Sequence, residues 1–248
     1  RDLVASGLKV SEAWALMQRD QNAPVVPVVW EPELVSAMVH LRRELMQRLT
    51  SFDREGAARA AVSLLMVPFE AQLEEVFFPL LTEVGDAWAA GHVSIAQEHF
   101  VSAWVRERLL LMLHAVSGAN ANGPEITCAT PAGEAHEFGL LGLAVRLALR
   151  QFRVVLLGAD VPIADLVRHA EERQPYGICL SMVQARPATE IAAFLRDLRR
   201  RVPTGVRLAV GGRATMLAPI VDVPGVAVCG NELPPWADTV TLLRKHAG

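Results

Sequence analysis

The apolar residues of this chain change period once, at Ser117-Gly118-Ala119-Asn120-Ala121-Asn122-Gly123-Pro124, and that change limits the folds open to it. Before this stretch the period is helical. Leu34, Val35, Met38, Leu41, Leu45, Met46 and Leu49 recur three and four apart and form one stripe. Asp53 is placed to cap a second helix through Leu65, which Pro68 ends. A third helix is expected over 70–90 through Leu73, Val76, Phe77, Leu80, Leu81, Val84 and Trp88, with Pro79 set to kink or split it and Gly91 to stop it. Ser94-Ile95-Ala96-Gln97 reads as a capping box that opens a fourth helix to His114. Four amphipathic helices with short connections predict a four-helix bundle over 33–116.

After the linker 117–124 the pattern alternates. Short apolar runs near 126–130, 152–157, 176–182, 206–210 and 225–229 take turns with helical segments near 137–150, 163–173, 188–201 and 233–246. Strand–helix alternation predicts a five-stranded parallel sheet covered on both faces, flavodoxin-like and Rossmann-like, over 125–248. Residues 1–32 read as the tail of a preceding domain plus a proline-broken linker (Pro24, Pro27, Pro32). The chain starts without methionine inside a helical pattern, so a preceding segment is expected.

With 52% hydrophobic and 21% charged residues the composition is globular, and the net charge of −3 carries no general nucleic-acid signature. Three cysteines, Cys128, Cys179 and Cys229, each in a β-like run, read as buried apolar residues and not as a disulfide framework. No apolar run reaches the roughly 18 residues of a membrane span and no leader is visible, which predicts a cytoplasmic protein.

Chemistry concentrates at Gly133-Glu134-Ala135-His136-Glu137-Phe138-Gly139, between the first strand and its helix. In a flavodoxin-like order this loop shares the sheet's carboxyl edge with Ser181-Met182-Val183 and Gly211-Gly212, where ligands bind. Adjacent glycines there are expected to admit a bulky group, and a serine beside them to hydrogen-bond it. A zinc site needs three or four protein ligands, and His136 has no second His or Cys near it. One imidazole with one carboxylate behind it leaves the remaining coordination to a macrocycle.

Glu134-x-His136-x-x-Gly139, Ser181-x-Val183 and Gly211-Gly212 resemble, in order and approximate spacing, the cobalamin-binding signature Asp-x-His-x-x-Gly, Ser-x-Leu, Gly-Gly. The resemblance implies that His136 is the lower cobalt ligand, in place of the cofactor's own benzimidazole. It further implies that the displaced nucleotide tail enters a channel lined by Ser181 and the glycines. Glu134 stands where the family has Asp, and Val183 where it has Leu. The longer acid is expected to alter the geometry of its bond to the His136 ring without abolishing ligation.

Trp88, nine intervening residues and then Glu98-His99 resemble the cap of CarH-type, MerR-family light-dependent regulators that use adenosylcobalamin. The resemblance implies that Trp88 covers the adenosyl group, that Glu98 accepts its ribose hydroxyls, and that His99 is the candidate upper cobalt ligand once light has removed that group. Ile95, four residues before His99, shares its helix face. The alternatives are Trp88 in the bundle core and Glu98 on a solvated face. The family also implies a homo-oligomer, dimer or tetramer, in the dark, and DNA contact through a domain of which 1–18 is at most the end. No catalysis is expected. A corrinoid carrier for methyltransferases, or an antirepressor or sensor with another output, would share His136, Ser181 and Gly211-Gly212, and a methyl carrier would have no use for Trp88 or Glu98. His92, in the cap turn, reads as exposed; His40, His114, His169 and His246 show no partner pattern. Gly158-Ala159-Asp160 is a weak candidate near the tail, and Arg196, Arg199, Arg200 and Arg201 read as a solvated helix end.

Overall fold

A computed structural model describes residues 30–217 and 223–237. The expected MerR-like tail and most of the helix near 233–246 lie outside them. The chain divides into two compact units, one over Val26–Met112 and a second that takes in everything from Leu113.

In the first unit, α1 (Pro32–Thr50) buries Met38, Leu45 and Leu49, seven and four apart on one face. The α2 helix (Arg54–Ala60) is capped by Asp53, whose carboxylate accepts from the Gly56 N–H at 2.8 Å. The expected second helix does not run on as α-helix. It tightens into a 3₁₀ segment over Ala61–Met66, which buries Leu64 and leaves Leu65 82% exposed. The third helix is interrupted: α3 (Phe69–Gln72) passes through a π turn, Leu73–Phe77, into α4 (Phe78–Ala89). Pro79 accounts for the interruption. Proline has no N–H to give the carbonyl four residues back, and its ring crowds that carbonyl. The carbonyl is that of Glu75, and Arg42 Nη1 donates to it at 2.8 Å. The Ser94–Gln97 capping box is formed, with Ser94 N donating to Gln97 Oε1 at 2.8 Å and Gln97 N to Ser94 Oγ at 3.3 Å. It opens α5, Ile95–Ser117, three residues longer than expected. Trp104 and Phe77 meet in the core at 6.4 Å.

The second unit is a parallel sheet in the order β2-β1-β3-β4-β5. Its strands are β1 (Glu125–Pro131), β2 (Arg153–Val161), β3 (Gly177–Ser181), β4 (Arg207–Gly211) and β5 (Val226–Gly230). Between them run α6 (Phe138–Leu149), α7 (Ile163–Arg173), α8 (Ala188–Arg201) and the short α9 (Arg213–Leu217). This is the flavodoxin-like order, and every residue of β1 and β3 is buried, as strands between two helical layers must be. Succession reverses direction between β1 and β3, so their carboxyl-end loops part and form the crevice.

Three details differ from the sequence reading. Cys128 and Cys179 are buried, but Cys229, on β5, is only partly covered. His169 has a partner: its Nε2 lies 2.8 Å from the Thr127 hydroxyl of β1. Arg199 is not a solvated charge. Its guanidinium closes the end of α8 on the carbonyls of Val202, Pro203 and Val206 at 2.6–2.8 Å, beyond the last turn of the helix.

Candidate functional site

The β1 strand ends at Pro131, and the chain turns through Gly133 at φ +78°. Glycine suits that left-handed turn, and a Cβ there would meet Arg186 Nη2 at 3.1 Å. The turn is fastened from both neighbouring strands. From the end of β2, Asp160 accepts from Gly133 N at 2.7 Å, and its own N–H goes to Thr130 Oγ1 at 3.0 Å. From the loop after β3, Arg186 donates to Ala132 O at 3.2 Å. Thr130 Oγ1 in turn donates to the Glu134 carbonyl.

Inside this turn the Glu134 side chain is fully buried. Its Oε1 accepts from His136 N at 3.0 Å and stands 2.6 Å from His136 Nδ1; its Oε2 accepts from Val183 N and Gln184 N, both at 2.7 Å. Burial pushes such a carboxyl toward its neutral form. The hydrogen bonds from Gln184, Val183 and His136 outweigh that and hold it below its ordinary value. An ionised carboxylate only accepts, so the proton shared with His136 sits on Nδ1, and in the neutral ring Nε2 carries the lone pair. The ring is 56% exposed, which leaves Nε2 open to a ligand. The extra methylene of Glu134 lets one carboxylate reach both its own loop and the loop after β3.

Ser181 closes β3, paired in register with Gly211, and is 3% exposed. A Cβ on Gly139, in the first turn of α6, would lie 3.2 Å from its Oγ, so the bare glycine leaves the hydroxyl room. At Gly211-Gly212 the close approach that needs bare backbone is made first within the protein itself. A Cβ on Gly211 would meet Gly230 O at 2.6 Å, and one on Gly212, at φ +94°, would meet Met182 O at 2.4 Å. The protein's own backbone fills the space those side chains would take, and Gly212 N donates to Gly230 O there at 2.6 Å. Val183 takes part through its backbone N–H, which reaches Glu134. The weak Gly158-Ala159-Asp160 signal marked a working residue in Asp160; Thr130 and Gln184 carried none.

In the helical unit, Trp88 lies at the end of α4 and is 50% exposed, so it is not core. The turn that follows folds back at Gly91, φ +76°, with His92 N on Ala87 O at 2.9 Å and His92 exposed. On the first turns of α5, Ile95 is exposed. Glu98 is not a freely solvated acid: Ser102 Oγ donates to its Oε1 at 2.6 Å, and His99 Nδ1 lies 2.5 Å from its Oε2. As at His136, a neutral ring that donates to the carboxylate carries its proton on Nδ1 and its lone pair on Nε2, and the His99 side chain is exposed. Ser102 had no mark in the sequence.

Residues 41–111 match one family and residues 124–231 another, both described as B12 binding domain. The HTH-type transcriptional repressor CarH of Myxococcus xanthus is 33% identical over 217 residues, 86% of this chain and 72% of that protein. The chain belongs to the CarH family of cobalamin-binding regulators. A second member, the HTH-type transcriptional repressor CarA of the same organism, is 34% identical over 208 residues, 83% of this chain and 66% of CarA. A monomethylamine corrinoid protein of Methanosarcina barkeri shares the fold, with a TM-score of 0.58 at 16% identity over 84% of this chain and 99% of its own.

The residues present suit the cofactor that defines the CarH family. Among the described residues no group of three or more His, Cys, Asp and Glu is placed to hold a metal ion. The sheet unit instead presents one imidazole, its tautomer set and Nε2 open, which suits a cobalt whose equatorial ligands come with a macrocycle. Among the described residues no helix is long and apolar enough to cross a membrane.

Proposed function

We propose that this chain is the light-sensing module of a transcriptional regulator, with adenosylcobalamin as its chromophore. The observation that carries the reading is the matched treatment of two histidines: in each unit one exposed imidazole sets its Nδ1 against a glutamate, His136 on Glu134 and His99 on Glu98. A module that only carried a methyl group would need the first and not the second. Trp88 and Ile95 are exposed apolar side chains suited to a purine, and the Glu98 carboxylate is suited to ribose hydroxyls.

When bound, the cofactor supplies a cobalt–carbon bond that light breaks. His136 would hold the metal, with Glu134 keeping that ring in place, and Ser181 with Gly139, Gly211 and Gly212 would receive the nucleotide tail. Trp88, Ile95 and Glu98 would bind the adenosyl group, and His99 would serve as the cobalt ligand once that group has gone. The protein acts by switching between two states that make different contacts, not by catalysis. A homo-oligomer assembled in the dark then comes apart and leaves its DNA, in the cytoplasm. DNA is read by a helix-turn-helix domain of the kind named in CarH and CarA.

Absorption spectra and molecular mass, recorded in the dark and after green light with adenosylcobalamin or methylcobalamin, test this. The expected result is preference for the adenosyl form and a change of both spectrum and mass on illumination. Tighter binding of methylcobalamin with no change of mass would replace the sensor by a corrinoid carrier.

A further inference from the structure

Glu98 and His99 are consecutive on α5, and consecutive helical side chains point about 100° apart and do not ordinarily face each other. Their contact therefore needs something to turn the Glu98 carboxylate sideways. Ser102 does so. It lies four residues after Glu98 on the same face, and its Oγ donates to Glu98 Oε1 at 2.6 Å, so that Oε2 meets His99 Nδ1. A serine inside a helix commonly spends its hydroxyl on the carbonyl four residues back; this one gives it to the side chain there instead. In the sheet unit the same task falls to two loop amides, Val183 N and Gln184 N, which pin Glu134. Within a helix, amides beyond the first turn are taken by the helix itself, so a hydroxyl is the donor available.

We propose that Ser102 is a positioning residue of the sensor: by holding Glu98 it fixes His99 as the Nδ1–H tautomer, which keeps the lone pair on Nε2 of an exposed ring. The inference rests on the reading of His99 as a cobalt ligand and adds the residue that prepares it. Without Ser102, the Glu98 carboxylate has no second anchor among the contacts described, and its three rotatable bonds let it leave the ring. His99 then relaxes toward the Nε2–H form that an unconstrained imidazole favours, which has no lone pair at Nε2.

The test needs no cofactor. In ligand-free protein labelled with ¹⁵N at histidine and held at about pH 8, where an ordinary imidazole is neutral, two-bond ¹H–¹⁵N spectra report the tautomer of each ring. Absence of its signals in His99→Gln assigns His99. We expect the Nδ1–H form to dominate in wild type, the Nε2–H form to become the major one in Ser102→Ala, and Ser102→Thr to restore the wild-type pattern. With cobalamin bound, the histidine-ligated spectrum after illumination should form several-fold more slowly in Ser102→Ala than in Ser102→Thr. An unchanged His99 tautomer in a folded Ser102→Ala protein overturns the proposal. If the tautomer moves as expected while His99→Gln leaves the illuminated spectrum intact, the positioning by Ser102 holds and the assignment of His99 to cobalt fails.

Discussion

Replacing Glu134 by glutamine keeps the shape of the side chain and breaks the logic of its contacts. The carboxylate takes four donors, two on each oxygen, in a fully buried position. An amide offers one acceptor oxygen and one NH₂. With the oxygen toward Val183 and Gln184, the NH₂ confronts the His136 N–H. The reverse orientation strands two backbone donors and is worse. In the better orientation one backbone N–H loses its acceptor, at about 1–3 kcal/mol, and two charge-assisted bonds become neutral, at about 0.5–1 kcal/mol each. Glu134→Gln should thus destabilise the sheet unit by about 2–5 kcal/mol at neutral pH, seen as a lower urea midpoint at unchanged slope. The sign with pH follows from the depressed carboxyl. Its stabilisation is complete above the ordinary value of 4.5 and is lost as pH falls through the lower folded value, so the gap between wild type and variant should close in acid. The ring should also turn to the Nε2–H tautomer to accept from the new NH₂, and cobalamin should lose its histidine-ligated spectrum. A midpoint within about 0.5 kcal/mol of wild type, or a gap that stays constant into acid, would refute this account of the carboxylate.

Gly212→Ala puts a Cβ 2.4 Å from Met182 O at φ +94° and should cost about 2–4 kcal/mol, again read from urea unfolding, with or without cobalamin. Asp160→Ala removes the acceptor of Gly133 N and should speed hydrogen exchange at Gly133 while leaving the middle of β1 protected; Asp160→Asn, which keeps an acceptor and tolerates φ +60°, should recover most of that protection. None of the three thiols should react with a maleimide at neutral pH before unfolding. Burial pushes Cys128 up to about 12 and Cys229 to about 11, and burial, with the other two thiols nearby, also raises Cys179 well above the ordinary thiol value. Fast labelling of Cys229, the least covered, with Cys128 and Cys179 silent, would show that partial exposure outweighs its raised pKa.

Local signals determined most of the architecture. The change from a helical to an alternating period separates bundle from sheet, and the Asp53 cap and the Ser94–Gln97 box form as read because a cap is made within three residues of sequence. Pro79 marked a disturbance, but its form depended on Arg42, which lies on another helix and takes the carbonyl of Glu75. The motif named Glu134, His136, Gly139, Ser181, Gly211 and Gly212, and the strand order brings their loops to one edge. What only the tertiary structure decided is how each is used. Glu134 is held by backbone amides 49 and 50 residues away, and every residue but proline has such an amide, so no side-chain identity announces it. The glycine pair was legible as a need for missing side chains; that Gly230 O and Met182 O stand where two Cβ atoms would go is a fact of strand packing. Ser102 sits in a helix where serine is unremarkable by pattern, and its role depends on a rotamer of Glu98 that sequence does not encode. Residue types and spacing fix which groups can meet, while the directions of donors and acceptors emerge only when distant strands and turns are brought together.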